Sequence, residues 1–135
     1  MSTTAAEADL HFPGYLRADG RVGVRNHLAI VATVALSNRI AQLAAAQHEK
    51  SQGQPVLCIT GDFQRGLQTP DARLQDQVIE QLITHPNVGA AVVLCHARRA
   101  AQSGRERLAG DAREIEVIAV MDSQGVQNAI DRAAG

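Results

Sequence analysis

The chain has 135 residues, the length of one domain that can bury its own core without a metal or disulfide to hold it. Thirteen basic residues stand against fourteen acidic ones, a net charge of −1, which excludes a nucleic-acid binder driven by bulk cationic charge. Hydrophobic residues make up 45% and charged residues 20%, a globular composition; aromatics at 2% exclude a stacking platform for single strands and leave the core to Ala, Val, Ile and Leu.

Residues 1–12 are small and polar and read as a flexible tail, with neither the basic start nor the apolar run of a signal peptide. Residues 13–135 read as a single domain. No stretch has the length of a membrane span, and Cys58 and Cys95 have neither disulfide-framework nor zinc spacing, so the expected setting is the cytoplasm, without membrane contact. Gly14–Asn26 is a polar, glycine-spaced loop, in which Gly20 and Gly23 are expected at positive φ. Four short apolar runs follow: Leu28–Ala35, Pro55–Thr60, Ala90–Cys95 and Glu116–Met121. Each is rich in β-branched residues and apolar at both parities, as in strands covered on both faces of a parallel sheet.

Each run precedes a helical pattern. Leu36, Ile40, Leu43 and Ala44 carry the first, which ends near Gln52. Leu74, Val78, Leu82 and Ile83 carry the second; Thr69 is its candidate N-cap, Pro70 its first residue, and Pro86 stops it near Thr84. The third, about Arg98–Ala109, is interrupted by Ser103 and Gly104, and the fourth presents Val126, Ile130 and Ala133 inward. Alternating strands and helices predict a doubly wound α/β fold: a mainly parallel four-stranded sheet with helices on both faces, a Rossmann-like three-layer α/β/α arrangement. The small inner faces of the third and fourth helices predict incomplete cover on one side of the sheet, a surface for self-association or docking.

Ligands of such sheets bind beyond the carboxyl ends of the strands. Those ends offer Asp62, Arg65, His96, Asp122 and Ser123. His96 is a candidate general base, since an imidazole titrates close to neutral pH, and Asp62 and Asp122 are candidate acids or bases. The plainer reading makes both aspartates and Ser123 caps of loops or helices and His96 structural. Arg98 and Arg99 open a helix against its dipole, a hint of an anionic ligand. In the arm, Arg17, Arg21, Arg25 and Asn26 could clamp a carboxylate or phosphate; the plainer reading is that Arg25 and Asn26 tie the arm to the sheet. The cysteines, inside predicted strands, act as small apolar residues. His48 and His11 have no companions at metal-ligand spacing.

GYLRADGRVGVRN followed by an apolar strand and Thr33-Val34 resembles the second domain of the altronate/galactarate dehydratase family, a group that includes sulfolactate sulfo-lyase. His85-Pro86-Asn87-Val88 and Met121-Asp122-Ser123-Gln124-Gly125 extend the match. The resemblance implies metal-dependent lyases, using iron or another divalent metal, that remove water from sugar diacids or aldonates and carry a small N-terminal and a large C-terminal domain besides this one. It also marks departures. Where the family has Gly-Cys after Thr-Val, this chain has Ala35 and Leu36; where it has a His- and Cys-containing turn, this chain has residues 61–66. Where it has Gly-Cys-Glu, His96, Ala97 and Arg98 stand; where it has a Gln and a Gly-Gly pair, Met121 and Gln124-Gly125 stand. Leu, Ala and Arg offer no electron pair to a metal. No metal ligand is therefore expected, nor a cofactor on this chain alone.

Three functions follow as expectations. The first is a stand-alone subunit related to sugar-acid dehydratases that acts with a separate catalytic chain. The second is a non-catalytic domain binding a small anionic sugar acid through Arg25, Arg65, His96 and helix N-termini. The third is a small enzyme using Asp62, His96 and Asp122.

Overall fold

The computed structural model describes residues 11–62 and 70–135. The expected tail falls outside the described residues over 1–10, as do Arg65 and Thr69. The arm is not a plain loop. It folds into a small antiparallel hairpin of β1 (Tyr15–Leu16) and β2 (Val22–Gly23), turned at Gly20 with φ +86°. Gly23 is not at positive φ; a Cβ there would stand 2.1 Å from the Pro86 carbonyl oxygen, so its small size serves close approach.

The core sheet contains β3 (His27–Ala32), β4 (Leu57–Ile59), β5 (Val88–Cys95) and β6 (Glu114–Ala119), all parallel, in the order β4-β3-β5-β6. The strand pattern held because β3 and β5 occupy the two central places, where Ile30, Val31, Val93 and Leu94 are buried from both sides. β3 is shorter than its apolar run. Thr33 leaves the ladder, its N–H and Oγ1 both donating to Leu94 O at 3.1 Å, and a 3₁₀ turn over Ala35–Ser37 leads into α1 (Asn38–Gln52). The others are α2 (Pro70–Ile83), α3 (Arg98–Leu108) and α4 (Val126–Ala134).

One face of the sheet packs under α2 and α3, through Ile79, Ile83, Ala101 and Leu108 against Val31, Val93 and Val117. The other packs under α1 and α4, where Ala41, Ala44 and Ala45 share a core with Ala129, Ile130 and Ala133. Gly104 does not break α3. It faces the sheet, where a Cβ would lie 3.7 Å from Val117 Cγ1, so packing against the strand outweighs its poor helix propensity.

Five inner-face assignments change. Leu36 is 69% exposed in the 3₁₀ turn, and Val126 is exposed at the start of α4. On α2 the core takes Ile79 and Ile83, while Leu74, Val78 and Leu82 remain exposed. Exposed apolar side chains thus lie on the second helix and, with Leu36, Met121 and Val126, at the carboxyl end, while both faces of the sheet's centre are covered. The physical reason is width: the apolar residues of α2 span more of its circumference than one sheet contact can bury.

Candidate functional site

Because the strands are parallel, the domain has an amino end and a carboxyl end. The order β4-β3-β5-β6 puts the chain's switch of direction between β3 and β5, and the crevice for a ligand beyond their carboxyl ends. The sequence candidates divide between the two ends.

The arm sits at the amino end. Arg17 donates from Nε to Pro86 O at 2.7 Å and from Nη2 to Asn26 Oδ1 at 3.0 Å, with its guanidinium over the Tyr15 ring. Arg21 donates from Nη2 to Thr84 O at 2.7 Å. Asn87 receives the Val24 N–H on its side-chain oxygen and the His27 N–H on its carbonyl. Gly89 is passed over in the pairing of β3 with β5, and a Cβ there would lie 2.1 Å from Asn26 Oδ1. GYLRADGRVGVRN and His85-Pro86-Asn87-Val88, some sixty residues apart in sequence, are therefore the two halves of one clasp.

Arg113, which the sequence reading missed, completes it. Its side chain is 8% exposed, bonded twice to Asp111 and donating to His85 O at 2.8 Å and Val88 O at 3.3 Å. The signal was a repeated spacing. In Asp19-Gly20-Arg21 and Asp111-Ala112-Arg113 the arginine N–H donates to the aspartate Oδ1 two residues back, at 3.0 and 2.9 Å. The guanidinium Nε bonds the same carboxylate and a terminal nitrogen reaches the 84–88 carbonyls. Hydrogen bonds from the neighbouring arginine hold both carboxyls below the usual aspartate range. A cavity of about 210 Å³ remains under the clasp, lined by Arg17, Asp19, Asp111 and Arg113, charges of both signs.

The carboxyl end is different. Asp122 accepts a forked pair of bonds from Arg98 at 2.9–3.0 Å, which lowers its pKa and occupies its oxygens. Ser123 is buried and donates to Ala119 O at 3.2 Å; it turns the chain after β6, while Gly125 takes the N-cap place of α4. His96 is half-buried at the end of β5, where its carbonyl receives the Met121 N–H. Asp62 is exposed beyond β4, one strand further across, so roughly 10 Å of sheet separates it from the end of β5. Asn38 ties α1 to Gly61, donating to its carbonyl at 2.9 Å. The Ser37 hydroxyl is fully buried at the start of α1 and has no hydrogen-bond partner among the described residues.

Arg17, Arg21 and Asn26 hold the arm, and Arg25 donates to its neighbour Val24 O at 2.9 Å. They lie at the amino end, so this chain does not bring Arg25 together with His96. Cys95 is buried, and burial, with Glu49 nearby, pushes the Cys58 thiol up, away from the thiolate. His48 bonds the Ala134 carbonyl at 2.7 Å and ties α1 to the end of α4. The metal that the resemblance implies does not fit this donor set. Leu36 points outward from the turn after β3, Arg98 is held by Asp122, and among the described residues no three His, Cys, Asp or Glu side chains gather closely enough to hold a metal ion.

Fold and ends together define a doubly wound α/β domain whose amino end is a locked clasp and whose carboxyl end is the open rim. The family described as D-galactarate dehydratase/Altronate hydrolase, second domain, matches residues 14–135, and the chain belongs to it. No curated protein and no solved structure matches the chain. Among the described residues, no helix is long and apolar enough to cross a membrane.

Proposed function

We propose that this chain is a scaffold subunit of a sugar-acid dehydratase system, without turnover of its own and completed by a separate catalytic chain. The observation that supports it is the contrast within one family member: the clasp is intact to its last carbonyl, while the rim carries an exposed Leu36 and a closed Arg98–Asp122 pair. A scaffold needs the first and not the second. The test is dehydration of galactarate and altronate by the purified chain, by a large dehydratase chain, and by the two co-expressed. The reading expects no turnover from this chain alone and a higher rate from the pair than from the large chain. Turnover by this chain alone, or a pair no faster than the large chain, defeats it.

Binding of a sugar-acid carboxylate without turnover is favoured by one further observation. The Ser37 hydroxyl, buried and without a hydrogen-bond partner among the described residues, lies where the 3₁₀ turn enters α1, beside the switch point. Saturable thermal stabilisation by galactarate or altronate that Ser37→Ala abolishes supports this second reading; a flat titration removes it.

A further inference from the structure

The clasp accounts for one face of the hairpin and leaves the other unexplained. On the inner face Gly23 approaches the Pro86 carbonyl, and the Tyr15 ring meets the Arg17 guanidinium. Side chains alternate between the two faces of a strand, so Leu16 and its cross-strand partner Val22 lie on the outer one. Phe12 joins them. A Cβ on Gly14 would stand 2.7 Å from Val22 Cγ1 and 3.6 Å from Phe12 Cε2, so both side chains crowd over that glycine. Leu16 is 76% exposed, more than any other large apolar side chain among the described residues, and Phe12 and Val22 are exposed beside it. The clasp works through guanidinium groups, one side-chain amide and backbone carbonyls, so it would hold a polar outer face as firmly.

Two further features lie on the same hairpin. Arg17 N–H bonds Arg21 O at 2.8 Å, and an antiparallel ladder alternates, so the N–H and C=O of Leu16 point away from β2. Among the described residues β1 pairs with no other strand, which leaves that edge open to one more. At the base of the hairpin Arg25 donates to Val24 O and has no ion pair among the described residues, while Asp19, the arm's carboxylate, is closed on Arg21. The cation is left for a carboxylate from elsewhere.

We propose that this outer face is where the separate catalytic chain docks, through an extended segment with apolar side chains at alternate positions and a carboxylate within reach of Arg25. The proposal rests on the reading of this chain as a scaffold subunit. The segment adds a strand at Leu16, sets its apolar side chains beside Phe12, Leu16 and Val22, and gives Arg25 its counter-ion. Main-chain bonds and covered apolar area supply the affinity, and the cation favours an acidic segment. A helix would leave the Leu16 backbone groups unpaired, and a basic segment would meet Arg25, so the face selects an occupant that is extended and acidic. The clasp gains a purpose from this. By fixing the hairpin on residues 84–88 it presents the face already ordered, which lowers the entropy lost on docking.

The test is the affinity of the full chain for the large dehydratase chain, measured by titration, with three variants and one exchange measurement. Leu16→Asp should raise the dissociation constant at least about tenfold, with Tm and circular dichroism unchanged because the side chain supports no core. Arg25→Glu should weaken binding too, more at low salt than at high. Met121→Asp, similarly exposed at the carboxyl rim, should bind like the parent. In the parent complex the Leu16 N–H should exchange more slowly than in the free chain, since it gains a strand partner. Leu16→Asp binding at parental affinity overturns the proposal, as does a Leu16 N–H that exchanges no more slowly, or a Met121→Asp variant that loses as much. If the pair is faster than the large chain and Leu16→Asp changes nothing, the docking face alone is overturned; if no complex forms, the scaffold reading falls with it.

Discussion

The two ends of the sheet hold similar inventories of charge and use them in opposite ways. At the amino end three arginines converge on the carbonyls of residues 84–88, and two of them are aimed by an aspartate two residues back. At the carboxyl end Arg98 and Asp122 close on each other at the surface, and Arg39 and Arg99 have no ion pair among the described residues. The first arrangement is cross-linked and structural, with Arg113 buried at its base; the second is exposed and replaceable. A motif strong enough to mark a family need not mark its chemistry: here it marks the joint that holds an arm onto a sheet.

The largest effect that would sharpen this contrast is loss of Arg113. Arg113→Ala strips the Asp111 carboxylate of its guanidinium and His85 O and Val88 O of a charged donor in a mostly buried place, and should destabilise the domain by about 3 kcal/mol, a fall in Tm of about 10 °C. Thermal unfolding followed by circular dichroism measures it, and a fall of only a degree or two would mean that the clasp is ornamental. Gly23→Ala comes next. Its methyl cannot share space with the Pro86 oxygen, so the arm should lift at a cost of about 2 kcal/mol. Amide exchange then accelerates at Val24 and His27, whose N–H groups bond Asn87, and stays slow in the middle of β5.

A smaller effect is read from pH. Hydrogen bonds from Arg113 lower the Asp111 pKa, opposed by burial, so the folded state binds that proton less readily than the unfolded chain. The stabilisation is complete above the unfolded value, about 3.9, and disappears as pH falls through the lower folded value. Asp111→Asn should flatten the acid limb of a stability–pH curve below about pH 4. A limb as steep as that of the parent chain would assign the acid sensitivity elsewhere. Smallest of all is Arg98→Ala, whose fully exposed pair with Asp122 should leave Tm within the error of measurement. A loss comparable to that of Arg113→Ala would erase the difference between the two ends.

Most of the fold was legible because its strands are buried on both faces and its helix signals are local. Pro70 and Pro86 bracket α2 correctly, and the start of α3 falls at Arg98. Leu74, Val78 and Leu82 misled because helical spacing identifies an apolar face without saying what covers it. Gly23 misled for a related reason: its smallness answers Pro86, more than sixty residues away, which composition around it cannot reveal. Of the site, the rim positions could be placed from the strand ends. The engagement of Arg17 and Arg21 could not, since carbonyl oxygens of a distant loop leave no mark on side-chain identity. The paired Asp-x-Arg spacing was the one visible trace of it, and it needed the two copies to be set side by side.

The clasp also imposes an order of events on the ribosome. Its arm precedes the rest of the domain in the chain, yet its seat comprises residues 84–88 and the side chain of Arg113. During synthesis the arm must wait for nearly the whole domain before it can dock, a long-range closure of the kind that slows folding. Nascent chains halted before Arg113 should therefore carry an arm that proteases reach, and release of β6 and α4 should be what shuts them out.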